Sequence, residues 1–464
     1  MISKKHAKKV LKTCLITGGD FAEIFAEDTI KNQLELSGGE ISKTNTSNIY
    51  GAGIRILRGT QEVYGYTNDT SLEGLTKLAK SLAKSFDFEP IKAKVKVKEE
   101  VIKNKHTIKI DPSITPNEEK VKYLNEVYEV AKDYHEHVSQ VIASLVDTTQ
   151  KVLIINTEGK MVHDTRCNVR LGLQVVASKD GDMQVGRDSL GRNQGLEVFD
   201  ESDLQAFAKE VAKSAITMLS ADEIEGQVMP VVIHNAFGGV ILHEACVHSL
   251  EATSVAKGVS VFSNKLGEKI ASDIVTAVDD GTLENSWGSL NVDDEGTKTQ
   301  RNVLIENGIL KSYLVDKRNA RKMDGHPITG SGRRQSYRFS PTSRMTNTFF
   351  TNGDSTFEEI IESTEYGLFA KKMGGGSVNP ATGEFNFAVS EAYMIENGKI
   401  TRPIKGATLI GSGAEVLKKV DMIGNNLTYG HGMCGSISGS IPTDVGQPTI
   451  RVSGITVGGR GGKN

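Results

Sequence analysis

A long stretch of alternating apolar and polar residues, from Val138 to Gly191, constrains the fold more than any other feature of the sequence. Turn residues interrupt it at Thr157-Glu158-Gly159 and at Lys179-Asp180-Gly181-Asp182. A period of two places every second side chain on the same face of a strand, and glycine and aspartate favour tight reversals. The pattern therefore predicts an antiparallel meander.

The segments around this meander predict further strands and four helices. Leu34-Leu36 and Ile41-Thr44 flank Gly38-Gly39, which is a hairpin signal, and residues 53–57 and 63–66 form a second strand pair. Thr115-Pro116 should open the third helix, with threonine as cap and proline in the first turn. The helical stripes, each apolar on one face, are Ala7, Val10, Leu11 and Cys14; Leu72, Leu75, Leu78, Leu82 and Phe86; Val121, Leu124, Val127, Tyr128 and Ala131; and Leu204, Phe207, Ala208 and Val211.

The second half of the chain has a different pattern. Glycine becomes dense, helical stripes are scarce after residue 250, and Asn307-Gly308 and Asn397-Gly398 each join apolar-rich flanks. Asn-Gly is the strongest short hairpin signal. One clear helix is expected, directly after a strand at residues 228–233. The pattern predicts a mostly antiparallel β domain that carries this helix.

Two domains are expected, because 464 residues exceed what one hydrophobic core usually serves. The polar stretch at residues 222–227 is the best boundary, and the lysine-rich residues 89–112 are interpreted as a solvated connecting arm. The predicted fold class is α+β. Residues 1–222 form an N-terminal α/β domain with an antiparallel sheet, and residues 228–464 form the C-terminal β-rich domain with the metal-binding helix described below.

Composition excludes several function classes. The net charge of -3 provides no basic footprint for nucleic acid. No run of about 18 apolar residues occurs, which predicts no membrane span, and lysines interrupt the apolar stretch that a signal peptide would need after Met1. Four cysteines in a chain this long do not form a disulfide framework, so the predicted location is the reducing cytoplasm.

The helix expected near Asn235 carries His243, Glu244 and His248. Zinc prefers imidazole, thiolate and carboxylate ligands in a tetrahedron, with one position open in catalytic sites. Histidines five residues apart are separated by about 140° on an ideal helix, so the helix must widen locally, as in a π-bulge, or end near His248. Glu244 lies angularly between the two histidines, at about 100° from His243, and Glu251 shares that face at about 80°.

Two histidines do not hold a catalytic zinc, and the sequence offers few third donors. Cys434 lies in a glycine-rich stretch, residues 429–435, which is interpreted as a turn whose backbone can fold close to a site. His431 is the alternative donor in the same stretch. Cys246 lies in the helix at about 300° from His243 and therefore points away from the metal. If the histidine-bearing helix is ignored, the pattern around Cys434 favours a small buried residue over a metal ligand.

The chain resembles the TldD/PmbA family of metallopeptidases over almost its whole length, and its TldD-like branch most closely. The motifs that carry the resemblance are residues 242–251 (LHEACVHSLE), 278–282 (VDDGT), 302–308 (NVLIENG), 332–337 (GRRQSY), 344–348 (RMTNT), 390–393 (SEAY), 405–413 (KGATLIGSG) and 434–435 (CG). The resemblance implies that the HExxxH motif is His243, Glu244 and His248, and that the cysteine ligand is Cys434. It also implies closed two-subunit shells with the site facing an internal cavity. Val247 and Ser249 stand where the family commonly has smaller residues, often glycine.

The predicted function is a zinc-dependent peptidase that hydrolyses short or unfolded peptides. Zinc would lower the pKa of a bound water, and Glu244 would act as general base. Arg333, Arg334 and Tyr337 are candidates for stabilising the oxyanion or binding substrate. The expected partners are a peptide, which could add to a sheet edge, and either a second copy or a metal-free paralogue. The sequence identifies neither the physiological peptide nor which partner it is.

Three alternatives stay open from the residues. The chain could be a non-catalytic shell subunit, although the intact metal motif favours the catalytic branch. Cys434 with His431 could form a cysteine hydrolase, which would need no metal. A nucleic-acid regulator is the third, and the acidic charge balance disfavours it.

Overall fold

The computed structural model describes residues 2–90, 95–379 and 382–459; part of the predicted connecting arm, residues 91–94, therefore lies outside the described residues. The first half has four helices of eleven residues or more and one long-stranded sheet. Its elements are α1 (Lys4–Cys14), β1 (Phe21–Ser37), β2 (Glu40–Arg58), β3 (Gln61–Thr67), α2 (Leu72–Ala83), β4 (Lys98–Glu100), α3 (Asn117–Lys132), β5 (Val138–Asn156), β6 (Lys160–Lys179), β7 (Asp182–Asn193), α4 (Glu197–Asp200) and α5 (Leu204–Leu219).

The seven strands of this half form one sheet in the order β3-β2-β1-β5-β6, with β7 and the short parallel β4 also pairing with β6. The predicted meander is confirmed as β5, β6 and β7. The predicted hairpin is confirmed as well: Gly38 and Gly39, with φ of 65° and 84°, join β1 to β2. The second predicted strand pair is the distal part of β2 with β3. Local alternation thus determines most of this sheet.

One face of the sheet is covered by the long helices. α1 and α2 pack on Ile24, Ile54 and Ile155, and α3 and α5 pack on Leu145 and Leu171. Alternation along the strands puts these five residues on the same face. The predicted helical stripes are confirmed, but the opening of α3 differs from the prediction. Pro116 occupies the cap position without a side-chain bond to the helix, because the Thr115 hydroxyl donates to the Asp111 carbonyl instead.

The second half is built from short elements. Its helices α6 to α10 have four to six residues each, so the single clear helix of the prediction is one of five α-helices in the described part of this half. The elements are β8 (Asp222–Glu223), β9 (Gln227–Ile233), α6 (Val240–Ala245), α7 (Ala252–Val255), β10 (Ala277–Asp280), β11 (Arg301–Glu306), β12 (Ile309–Leu310), α8 (Lys317–Lys322), β13 (Gly332–Arg333), β14 (Thr342–Ser343), β15 (Asn347–Phe350), α9 (Phe357–Glu362), β16 (Tyr366–Val378), β17 (Glu384–Glu396), β18 (Lys399–Lys405), β19 (Thr408–Ser412), α10 (Gly413–Lys418), β20 (Val420–Ile423), β21 (Thr428–Ser436), β22 (Gly439–Gln447) and β23 (Ile450–Gly458).

Two sheets dominate the second half and enclose its main core. One has the order β12-β11-β10-β15-β22-β21, so β21 is its terminal strand. In the other, β9, β16, β17, β19 and β23 close on themselves, because β16 pairs with both β9 and β17. Both Asn-Gly hairpins are confirmed, joining β11 to β12 and β17 to β18 with positive φ. The α+β fold class is confirmed, with mostly antiparallel pairing.

The division of the chain between residues 222 and 228 stays a prediction. Strand β8, at Asp222–Glu223, already pairs with β18 of the second half.

Among the described residues, no helix combines the length and the apolar character that a membrane crossing requires.

The second face of the first-half sheet packs against the second half through buried ion pairs and through an apolar cluster that includes Phe25, Ile154 and Tyr337. Arg55 Nη2 lies 3.1 Å from Glu23 and 2.6 Å from Glu295, and all three side chains are inaccessible to solvent. Arg334 also pairs with Glu23. Arg166 pairs with Asp294 at 2.6 Å. These pairs join residues far apart in sequence and so align the two halves of the molecule.

We expect Arg55→Met to lower the free energy of unfolding by about 3–5 kcal/mol, because it leaves buried carboxylates without their cation. Urea unfolding followed by the fluorescence of Trp287, the single tryptophan, measures this change. Lys109→Met is the matched control, because the Lys109–Glu201 pair is 62% and 53% exposed and solvent-exposed pairs contribute little to stability. Equal unfolding midpoints for the two variants would contradict a role for the buried network.

Candidate metal centre

The chain turns sharply between β9 and the helix that carries the motif. Ala236 has a φ of 59°, a 3-10 turn follows at Phe237–Gly239, and α6 begins only at Val240. The prediction that the helix begins near Asn235 is therefore wrong. Gly239 permits this arrangement, because a Cβ there would lie 2.6 Å from the backbone of Gly446 in β22. The start of the helix is thus pressed against the second half's six-stranded sheet.

The helix ends between the two histidines. α6 stops at Ala245, Cys246 has φ of -123° and ψ of -60°, and a 3-10 turn continues over Val247–Leu250. Of the two solutions expected for a spacing of five, the structure has the helix end and not the π-bulge. The end comes three residues before His248, so His248 is no longer on the helical wheel of His243. Cys246 and Val247 are fully buried, which anchors the break in the core.

The break brings His243 and His248 together with Cys434. The Nε2 atoms of both histidines lie 3.3 Å from the Cys434 Sγ. The two rings are perpendicular, with centroids 4.9 Å apart. One ligand atom from each of the three residues fits within 4.8 Å, and this is the one such group of histidine, cysteine or acidic residues in the part of the chain that the structure describes.

Cys434 reaches the cluster from a strand. It lies in β21, opposite Ile441 of β22, so the interpretation of residues 429–435 as a turn is wrong: ladder hydrogen bonds take up their backbone groups. Arg344 holds this hairpin. Its Nη2 donates to the Cys434 carbonyl at 2.5 Å, and its Nη1 donates to Ser438 and Gly439. The sulfur position is therefore fixed by backbone pairing and by a buried arginine.

The three groups shift one another's protonation. Burial alone would raise the pKa of Cys434, but the charge and hydrogen bonds of His243 and His248 lower that pKa to about 3. Burial lowers the pKa of His248, but Glu251 and Cys434 raise it well above its ordinary value. A thiolate beside imidazoles is the form in which cysteine binds metals, and metal binding releases the imidazole protons.

Two carboxylates adjoin His248. Glu251 Oε2 lies 3.3 Å from His248 Nδ1, on the ring nitrogen that faces away from the cluster. This is the carboxylate–histidine arrangement that orients metal-binding imidazoles. Glu244 Oε2 lies 3.7 Å from His248 Nε2, and its side chain is 28% exposed. Glu244 therefore stands at the solvent side of the cluster, whereas Glu251 supports it from within.

The donor set fits a tetrahedral metal ion. Metal–sulfur bonds of about 2.3 Å and metal–nitrogen bonds of about 2.0–2.1 Å place sulfur and nitrogen roughly 3.5 Å apart around one ion, close to the 3.3 Å observed for both pairs. Both histidines present Nε2 to this point. Three protein donors leave a fourth position for water or substrate.

Other candidate residues lie elsewhere. His431 Nε2 lies 2.9 Å from the Ser189 hydroxyl on β7, so the structure does not bring it to the cluster or to the Cys434 sulfur. Arg333 donates to the Met345 carbonyl. Arg334 donates to Glu23 and the Tyr337 amide to Glu27, both at the interface between the halves. The oxyanion or substrate role of Arg333, Arg334 and Tyr337 stays a prediction.

Sequence reasoning missed the function of Arg344 in fixing Cys434. It lies in the motif Arg344-Met345-Thr346-Asn347-Thr348, but nothing local indicates that its target is a strand 90 residues later. Glu251 was placed on the metal face by a helical wheel, yet its backbone is extended. It reaches His248 because the chain leaves the helix.

Profiles of three domains of one family match the chain. They are described as PmbA/TldA metallopeptidase domain 1, at residues 22–85, the central domain, at residues 110–219, and the C-terminal domain, at residues 225–459. Together they include nearly all of the three large sheets and every residue of the cluster.

Curated relatives carry matching names. A protein named metalloprotease TldD homolog from Haemophilus influenzae is 39% identical over 458 residues, 95% of this chain and 93% of its own length. One of the same name from Buchnera aphidicola is 37% identical over 457 residues, with the same shares. Among solved structures, TldE from Thermococcus kodakarensis superposes with a TM-score of 0.78 at 19% identity, over 98% of this chain and 100% of its own, which supports the fold.

We expect Cys434→Ser to lose most of the bound metal, because a neutral hydroxyl replaces a soft thiolate donor. The unsubstituted chain should hold about one metal ion per molecule by plasma mass spectrometry. Cys246→Ser is the matched control, since Cys246 is buried outside the cluster. His431→Ala is a second control. Metal retained in Cys434→Ser and lost in His431→Ala would assign the third ligand to His431.

Proposed function

This chain belongs to the PmbA/TldD metallopeptidase family, and on that premise we propose that it is a zinc-dependent peptidase acting on short or unfolded peptides in the cytoplasm. One observation carries the proposal. The Nε2 atoms of His243 and His248 converge on the Cys434 sulfur at 3.3 Å, with the partly exposed Glu244 beside them. The names of the curated relatives support a metalloprotease.

The choice of zinc rests on the donor types. Two imidazoles and a thiolate suit zinc in a tetrahedral site, whereas magnesium, calcium and manganese prefer oxygen ligands. A site with only carboxylate ligands is disfavoured as well. Glu251, the buried carboxylate nearby, faces His248 Nδ1 and not the cluster.

The ion, when bound, supplies Lewis acidity that activates water and polarises a carbonyl. Glu244 is the side chain that we assign as general base. Its Oε2, 3.7 Å from His248 Nε2, takes the proton of the attacking water and returns it to the nitrogen of the leaving amine. Glu251 holds His248 in the orientation that presents Nε2. Arg344 fixes Cys434 through the strand carbonyl.

The substrate is proposed to bind as an extended chain. β21 is the terminal strand of its sheet and carries Cys434. Main-chain hydrogen bonds to the edge groups that Ala236, Trp287 and Arg344 leave open would place a peptide at the cluster. Such bonds do not depend on side chains and suit peptides of varied sequence. The glycines at residues 374–376, a second candidate from the sequence, lie within β16, where Gly376 pairs with Phe387.

We expect Glu244→Gln to keep its metal and to lose about 10²–10⁴-fold in turnover, because an amide cannot accept the proton of water. Hydrolysis of a quenched fluorescent peptide, with metal content measured on the same samples, tests this. Glu268→Gln, at an exposed carboxylate outside the cluster, is the matched control. Lost metal in Glu244→Gln would make Glu244 a ligand, and unchanged turnover would remove it from the mechanism. A metal-bearing chain that cleaves no peptide would instead favour the non-catalytic shell subunit.

The chain is also proposed to form a dimer, either with itself or with a metal-free paralogue. We expect a mass of two chains by light scattering at low micromolar concentration, because closed shells cover sheet edges that would otherwise invite uncontrolled pairing. A monomer with full peptidase activity would contradict the closed-shell arrangement.

A further inference from the structure

A cleft of about 840 Å³ separates the second face of the first-half sheet from the second half of the chain. Its first wall is formed by β6 and β7. Its second wall is formed by residues 234–238, residues 371–373 of β16 and residues 429–433 of β21. The three metal donors are not among the lining residues, and the metalloprotease mechanism above leaves this cleft without a function.

The charge of the cleft wall is unbalanced. Five cations, Arg170, Arg187, Arg192, Lys371 and Lys372, line it with two carboxylates, Glu35 and Asp188. The lysines are neutralised: Lys371 pairs with Glu391 at 2.8 Å and Lys372 with Asp188 at 3.1 Å. The three arginines form no ion pair with any carboxylate that the structure describes. A cleft lined by one sign of charge concentrates ligands of the opposite sign.

Arg170 is held in place for a ligand. Its Nε and Nη2 donate to the Ser189 hydroxyl at 3.1 and 3.0 Å, and that hydroxyl lies 2.9 Å from His431 Nε2. Burial, with the charges of Arg170 and Arg192, lowers the pKa of His431 to about 3, so its ring is neutral and shares a hydrogen bond with the serine hydroxyl. The fork of Arg170 is thereby fixed while Nη1 makes no hydrogen bond within the described part of the chain. An oriented guanidinium is suited to carboxylates.

The cleft also adjoins the metal centre. Met433 lines the cleft and the next residue, Cys434, belongs to the cluster, so one strand presents successive side chains to the two sites. Phe237 and Gly238 line the cleft and lead directly into α6. The remaining lining includes the apolar side chains of Ile142, Val146, Leu190, Met373 and Met433. A surface that mixes arginines with aliphatic side chains suits an acidic peptide better than a uniformly charged polymer.

We propose that Arg170, Arg187 and Arg192 bind an acidic segment of the peptide substrate in this cleft, beside the cluster that cleaves it. The inference rests on the proposed peptidase function for the nature of the ligand. The three arginines would give the enzyme a preference for acidic peptides, in addition to the recognition of the peptide backbone proposed above.

The test measures binding without turnover. Fluorescence anisotropy follows a labelled peptide of alternating glutamate and leucine, and its glutamine–leucine counterpart, on the full chain carrying Glu244→Gln. We expect the acidic peptide to bind at least about tenfold more tightly than its counterpart, since charge-assisted hydrogen bonds are roughly twice as strong as neutral ones. The difference should shrink as salt is raised. Because hydrolysis is not the readout, the peptidase proposal can fail while this inference holds, and the reverse.

Matched variants decide the assignment. Arg187→Gln with Arg192→Gln changes two exposed side chains and should remove most of the preference; adding Arg170→Gln should remove the rest. Arg58→Gln is the control, because that guanidinium lies over the Phe88 ring, away from the cleft. Equal affinity of the Glu244→Gln chain for the two peptides, or a preference that is undiminished in the double variant, would overturn the inference. So would tighter binding of a single-stranded oligonucleotide, or an altered oligomeric mass with unaltered peptide affinity.

Discussion

The contact of one thiol with two imidazoles is the interaction around which the second half of the molecule is arranged. It joins residues 191 and 186 positions apart, Cys434 with His243 and His248. Three polar groups in a mostly apolar core are stable only if they satisfy one another or hold an ion. Two features bring the three groups into contact. The helix ends at Ala245, which turns His248 towards His243, and Arg344 donates to backbone carbonyls of the β21–β22 hairpin, which fixes Cys434.

The identities of the donors could be read from the sequence, whereas their geometry could not. His243, Glu244 and His248 form a recognisable motif, and a spacing of five already indicated that a regular helix would fail. The position of the break could not be predicted, because the burial of Cys246 and Val247 depends on strands far away in the chain. Glycine at residues 429–435 suggested a turn, yet pairing with β22 makes the segment a strand. Backbone hydrogen bonding within the β21–β22 hairpin outweighed the preference of glycine for turns.

The two halves differ in predictability for the same reason. In the first half, neighbouring strands are mostly neighbours in sequence, so alternation and turn residues determine β1, β2, β5, β6 and β7. In the second half, β9 pairs with β16 and β15 pairs with β22, both in parallel and over long distances in the chain. Such pairings have no local signature. Arg334 illustrates the consequence for sites: its residue type suits an oxyanion, but its partner Glu23 belongs to the other half.

The charged second face of the first-half sheet has a consequence for the order of assembly during synthesis. Glu23, Arg55 and Arg166 are hydrated until residues near 294 and 334 have been made. The long helices already cover the other face of the sheet at that stage, whereas Phe25, Val152 and Ile154 on the charged face stay uncovered until Val292 and Tyr337 pack on them. Most of the apolar surface of the first half can therefore be buried as it emerges from the ribosome. The second half cannot be completed in stages in the same way. His243 and Cys434 are 191 residues apart, so its core and its metal centre require nearly the whole half to have been synthesised. The nascent chain thus completes the helix-covered sheet first and brings the donors of the metal centre together last.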